Sequence, residues 1–271
     1  MAKSASESRR RIISKRTKFA FATGSLEEAA VGVASITTMI FYNQVLGVSP
    51  AICGVAFLIA SIVDAVSDPL VGALSDSVRS RWGRRHPFMF GAAVPLGIFF
   101  YLLYQPPEGM GEGGLFWWLT LTMVGLRIAK TFYSVPHSAL GAELTDDYDE
   151  RTSVFAWNWI FLMVGQVALT TLMMYVIFPT PADNSNGLLV ADRYPDLALY
   201  GGAFCFAMIM VCTLWTSDQI PYLHLQERLG ERIRTRYEKL IEAWVNIKAM
   251  LVNPSYIAVV ACWMLLASLG G

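Results

Sequence analysis

Six stretches of this sequence, 19–45, 51–74, 88–104, 115–138, 153–178 and 197–217, stay apolar over lengths that a soluble core does not need. A helix rises about 1.5 Å per residue, so about 17 to 25 apolar residues cross a hydrocarbon core roughly 30 Å thick. Composition agrees, with 55% of residues hydrophobic and 15% charged, a balance too apolar for an ordinary soluble domain. The chain is expected to be an all-α integral membrane protein with six spans between residues 19 and 217.

The formal net charge is zero, so the placement of charge carries the information. Basic residues fall in the tail 1–18, in the loop 76–85, near Arg151 and at 228–248, all on one side of the membrane if each stretch crosses. The outer loops hold Arg193 alone. Positive charge collects on the cytoplasmic side, which places the N-terminus there. The first apolar run contains Glu27 and Glu28 and lacks a small-residue cleavage site, so it reads as an uncleaved span.

Residues 218–253 form a polar connector in which Leu229, Ile233, Tyr237, Leu240, Ile241 and Trp244 recur at helical spacing. This fits an amphipathic helix on the cytoplasmic surface, or equally a solvated linker between two bundles. The apolar stretch 254–271 then reads as the start of a seventh span, cut short. The expectation is half of a larger transporter.

Enzyme chemistry has no visible support. No GxSxG, HExxH or phosphate-loop pattern is present. Cys53, Cys205, Cys212 and Cys262 lie in apolar spans without CxxC spacing, and His86, His137 and His224 are scattered, which points to packing rather than metal ligation. No cofactor and no nucleic-acid partner are expected.

Charges inside the spans are the informative exceptions. A central Asp costs on the order of 3 kcal/mol on insertion scales, so Asp64 and Asp68 should face a cavity rather than lipid. Their i, i+4 spacing puts both carboxylates on one helical face, a geometry able to hold one small cation. Pro69 frees a backbone carbonyl beside them. The fourth span carries Arg127, Lys130, Thr131 and Ser134 as a stripe, followed by Pro136 as a kink. In the first span Gly24, Glu28 and Gly32 share a side, with Glu27 turned about 100° away. Counted from the outer ends, Asp64, Asp68, Lys130 and Glu28 lie roughly 21–27 Å deep. One shared layer suggests a polar site in the bundle; the alternative is an ion-pair cluster that only fixes packing.

Several motifs together carry a family resemblance. The D-x-x-x-D-P of Asp64, Asp68 and Pro69, the G-x-x-S-D that follows, RSRWGRR at 79–85 and GAELTDDYDERTS at 141–153 resemble the melibiose-permease-like glycoside, pentoside and hexuronide cation symporters. These belong to the major facilitator superfamily, and the resemblance runs along the whole chain as an N-terminal half. It implies a twelve-span fold of two six-helix bundles working by alternating access, with a sugar moved together with sodium, lithium or a proton. It further implies that Asp64, Asp68 and Thr131 belong to the cation site, with sodium on the two carboxylates if sodium is used. Glu28 matches the acid that binds sugar hydroxyls, and Asp76, Arg84 and Arg85 resemble the inner-gate motif.

Two departures from the family pattern matter. Ser134 stands where a further cation-site and sugar-binding Asp is expected, and Trp159 stands where a sugar-binding Arg is expected. Lys130, one turn from Ser134, could reach Asp64 or Asp68 and stand in for the cation, or else pair with Glu28. Trp159 is a candidate stacking face, while Trp117 and Trp118 read as interface anchors. Asn158 and Gln166 could bind a hydroxylated substrate, though interhelical hydrogen bonding is the commoner role. The expected function is cation-coupled symport of a sugar or glycoside in a bacterial inner membrane. A lipid-like solute is the alternative within the family; a channel or a non-transporting scaffold fits less well.

Overall fold

The computed structural model describes residues 12–78, 80–180 and 186–223. Most of the expected connector, the seventh span at 254–271 and residues 1–11 of the basic tail lie outside the described residues, as does Arg79. Seven α-helices and no strands form the described part: α1 (Lys15–Ala22), α2 (Ser25–Ile40), α3 (Pro50–Ser77), α4 (His86–Leu103), α5 (Glu112–Glu143), α6 (Tyr148–Leu172) and α7 (Tyr194–Thr216). Wide π-helical turns at Phe41–Val45 and Met173–Ile177 prolong α2 and α6.

The first expected span differs from the sequence reading, because it is two helices rather than one. Thr23 Oγ1 donates to the Ala20 carbonyl at 2.7 Å and Ser25 Oγ to the Ala22 carbonyl at 2.8 Å. Side chains of this kind offer the backbone an alternative to the i to i−4 ladder, and the helix breaks between them at Gly24. The remaining five spans are single helices, and several outrun their apolar cores. Thus α5 starts at Glu112 and ends at Glu143, beyond both limits read from apolarity. Pro50–Ser77, His86–Leu103, Tyr148–Ile177 and Ala191–Leu223 are each long and apolar enough to cross a membrane, with mean hydropathy of 1.6 to 2.1. The other two spans are the interrupted α1 and α2 and the charged α5.

Local signals set the helix starts. Ser14 Oγ accepts from the Thr17 amide at 3.1 Å, and Ser49 caps α3 with Pro50 in its first turn. The Asp147 carboxylate accepts from the amides of Asp149 and Glu150, both at 3.0 Å. Gly83, at φ 76°, turns the short loop between α3 and α4.

The helices pack in a continuous series: α3 packs on α5, α5 on α4, α4 on α7, α7 on α1 and α2, and α2 on α6. Between α5 and α6 the contact is sparse. The backbones of α4 and α7 approach closely, where a Cβ on Gly202 would lie 2.8 Å from the Gly97 carbonyl oxygen. Small residues permit this approach, as is usual where helices associate in lipid. Near the opposite end of α2, the Tyr104 hydroxyl lies 2.8 Å from Thr37 Oγ1 and 2.9 Å from Thr38 Oγ1 and donates to the Ala34 carbonyl at 2.8 Å. The outer faces of α3 and α6 expose Val55, Leu58, Ile62, Ile160, Val164 and Val167, which suits lipid rather than water.

Candidate functional site

The polar layer assembles around α5, which meets α3 on one side and α2 on another. Thr131, only 1% exposed, places its hydroxyl 2.9 Å from Asp68 Oδ1 and 3.2 Å from Asp64 Oδ1. One hydroxyl has one proton, so it donates to one carboxylate at a time while standing between both. Ser67 Oγ lies 3.2 Å from Thr131 Oγ1, which adds a fourth oxygen-bearing side chain. Asp64 is half-buried and Asp68 exposed, so the pair opens to one side of the bundle.

The two bases of the α5 stripe choose different acids. Arg127 Nη1 donates to Asp64 Oδ2 at 2.9 Å. Lys130 Nζ faces Glu28 Oε1 at 3.5 Å, not Asp64 or Asp68. Rotation explains this outcome. Arg127 and Thr131 are four residues apart and share a face toward α3, whereas Lys130 sits about 100° from Thr131 and turns toward α2. Of the two partners the sequence allows for Lys130, the aspartates or Glu28, it meets Glu28, and Arg127, which the sequence places only in the stripe, reaches Asp64.

The other candidates are placed less centrally. Ser134 is half-buried further along α5. On α6, Asn158 gives its backbone carbonyl to Ser25 Oγ at 3.0 Å, while its side-chain Oδ1 is buried without a protein hydrogen bond. Trp159 is 59% exposed. Gln166 packs where α6 meets α2, with Nε2 3.3 Å from the position a Cβ on Gly32 would take. Gly24 faces Tyr133, His137 and Cys212 instead, so the expected common side of Gly24 and Gly32 is split by the break before α2. Glu27 is fully buried, and neither of its carboxylate oxygens has a protein hydrogen bond.

At one end of the bundle a second charged cluster ties three helices together. Arg85, almost fully buried, donates to Glu143 Oε1 from Nε at 3.1 Å and Nη2 at 2.7 Å, to Ser75 Oγ at 2.6 Å, and pairs with Asp76. Arg84 Nη2 reaches the same Glu143 oxygen at 2.8 Å. Asp76, Arg84 and Arg85 are thus brought together, around an acid that sequence reading left without a role. Lys18 was missed as well. It pairs with Glu150 at 2.8 Å and donates to Ser153 Oγ at 2.8 Å, fastening α1 to the start of α6.

The two histidines among the described residues, His86 and His137, serve helix packing. His86 Nε2 lies 3.2 Å from Thr216 Oγ1, and His137 Nε2 lies 3.0 Å from the Phe21 carbonyl with its ring stacked on Phe21 and Tyr133. Trp118 donates to the Leu102 carbonyl at 2.9 Å, while Trp117 is exposed. Among the described residues no group of three or more His, Cys, Asp or Glu could hold a metal ion. The donors at Asp64 and Asp68 are instead two carboxylates with two hydroxyls, a hard oxygen set.

Residues 21–271 match the MFS/sugar transport protein family, and the chain belongs to that family. It is a family of multi-pass membrane transporters, not of enzymes. The inner membrane symporter YicJ of Escherichia coli (strain K12) is 28% identical over 240 residues, covering 84% of this chain and 49% of YicJ. The isoprimeverose transporter of Lactiplantibacillus pentosus is 25% identical over 218 residues, covering 80% of this chain and 44% of that protein. The sodium-dependent lysophosphatidylcholine symporter 1-A of Danio rerio is 26% identical over 184 residues, covering 66% of this chain and 34% of that protein. The chain spans about half the length of YicJ.

Proposed function

We propose that the full-length protein is a cation-coupled symporter of a sugar or glycoside, in which this chain forms one of two six-span bundles and works by alternating access. One observation carries the reading. Two carboxylates one turn apart on α3 share the Thr131 hydroxyl of α5, in the same polar layer as Glu28 and Lys130. In this reading Asp64, Asp68, Thr131 and Ser134 hold sodium or a proton. Glu28, Lys130, Asn158, Trp159 and Gln166 meet the substrate from the neighbouring helices.

The cluster of Asp76, Arg84, Arg85 and Glu143 holds the inner end shut when the site opens outward. The basic loops support a cytoplasmic position for that end and for the N-terminus, and the Escherichia coli relative supports a bacterial inner membrane. Residues 19–217 form the bundle, and 218–253 the connector toward the second bundle. The test is uptake by the full-length protein in vesicles, across a panel of glycosides with a sodium, lithium or pH gradient and Asp68→Asn as control. Cation-stimulated uptake that the control loses is expected; gradient-independent uptake unchanged by Asp68→Asn overturns it.

A second reading has its own support. The lysophosphatidylcholine symporter is among the relatives, and Trp159 stands where the family pattern expects a sugar-binding Arg. Uptake of a lysophospholipid in place of every glycoside would decide for a lipid-like solute.

A further inference from the structure

We propose that the Arg127 guanidinium is a tethered cation that occupies part of the Asp64 and Asp68 site and competes there with the free coupling ion. This rests on reading those carboxylates as the cation site.

Asp64 has two oxygens, and both are engaged. Oδ2 accepts from Arg127 at 2.9 Å and Oδ1 faces the Thr131 hydroxyl at 3.2 Å. Asp68 keeps Oδ2 clear of any protein hydrogen bond among the described residues, with Oδ1 on Thr131 at 2.9 Å. A hard cation gathers several oxygens at once, so an ion that used both carboxylates would have to share Asp64 with a guanidinium. Like charges brought together in a partly buried site repel strongly.

The guanidinium is also held in place. Arg127 and Asp64 are comparably shielded, with side chains 25% and 26% exposed. A charged side chain inside a span needs a counter-charge, and Asp64 is the acid it meets. Lys130 does not relieve it, since Lys130 is turned to Glu28. Formally the two carboxylates and Arg127 sum to a single negative charge. The site therefore keeps an attraction for one monovalent cation, weaker than two uncompensated carboxylates would provide.

The test titrates sodium and lithium calorimetrically into the purified full-length protein, with choline as the ionic-strength control. Arg127→Gln should bind sodium at least tenfold more tightly than wild type, and adding Asp64→Asn should abolish that gain. Arg127→Lys, which keeps the charge, should stay within threefold of wild type and serves if the Gln variant does not fold. The proposal is overturned if Arg127→Gln binds no more tightly than wild type, if the gain survives Asp64→Asn, or if Arg127→Lys gains as much as tenfold. These outcomes differ from failure of the symporter reading, which is an uptake insensitive to both the cation gradient and Asp68→Asn.

Discussion

Arg85 and Glu143 meet through two guanidinium nitrogens on a single carboxylate oxygen, at 2.7 and 3.1 Å, across the junction of α4 with the end of α5. The Arg85 side chain is 7% exposed, so its charge depends on these partners. Glu143→Gln leaves Asp76 and Ser75 in place but removes the acid that Arg84 and Arg85 share. Breaking a buried pair costs about 3 to 5 kcal/mol when no partner remains, and with two left the expected loss is about 2 kcal/mol. It should appear as a lower apparent Tm of the full-length protein in detergent. An unchanged Tm would mean that the cluster contributes little to holding the helices together.

The Thr131 hydroxyl stands between two acids that would otherwise repel. Thr131→Val keeps the shape and removes the donor, while Thr131→Ser keeps the donor. A hydrogen bond to a charged group contributes about 1.5 to 3 kcal/mol, so the half-saturating cation concentration should rise about tenfold or more in the Val variant and little in the Ser variant. Cation dependence of uptake by the full-length protein measures both. Equal behaviour of the two variants would remove Thr131 from the cation site.

Glu28 and Lys130 lie 3.5 Å apart with side chains 47% and 20% exposed, a geometry too open for a strong structural pair. A double-mutant cycle of Glu28→Gln and Lys130→Met on thermal stability should give a coupling below about 1 kcal/mol. Each single variant should nonetheless reduce substrate uptake severalfold. A large stability coupling with uptake intact would assign the pair to helix packing.

Periodicity reveals what lies on one helix and not how two helices face. Asp64 and Asp68 were legible because i, i+4 spacing on an unbroken helix fixes their common side. The polar layer was legible too, since α2, α3 and α5 each bring a charge to a similar depth. The partner of each base was not, because the rotation of α5 against α2 and α3 decides whether Arg127 or Lys130 meets Asp64. The break at Gly24 is not legible in the sequence, since it involves no proline, only Thr23 and Ser25 bonding to nearby carbonyls. Glu143 and Lys18 sit at helix ends among other charges, where a residue with a buried partner reads the same as one that marks topology.

Gly97 and Gly202 set the separation of α4 and α7. A methyl group on Gly202 would sit 2.8 Å from a backbone carbonyl oxygen, which cannot swing aside as a side chain would. Gly202→Ala should therefore push the helices apart at a cost of about 1 to 3 kcal/mol. Gly54→Ala, where a Cβ meets nothing within 4 Å, is the control and should be neutral or slightly stabilising. Equal apparent Tm values for the two variants would contradict the close approach.

Glu27 is a full-sized acid with no exposed surface and no protein hydrogen bond on either oxygen, one position from the half-exposed Glu28. An isolated carboxylate charge is costly to bury, and an amide of the same shape costs less. Glu27→Gln should therefore fold with an apparent Tm equal to or above wild type, whereas Glu27→Ala, which leaves a cavity, should lower it. Uptake separates two meanings of that result. If Glu27→Gln is stable and transports normally, the acid is only tolerated; if it is stable and transport stops, the carboxyl group itself takes part in the cycle, about 100° around α2 from Glu28.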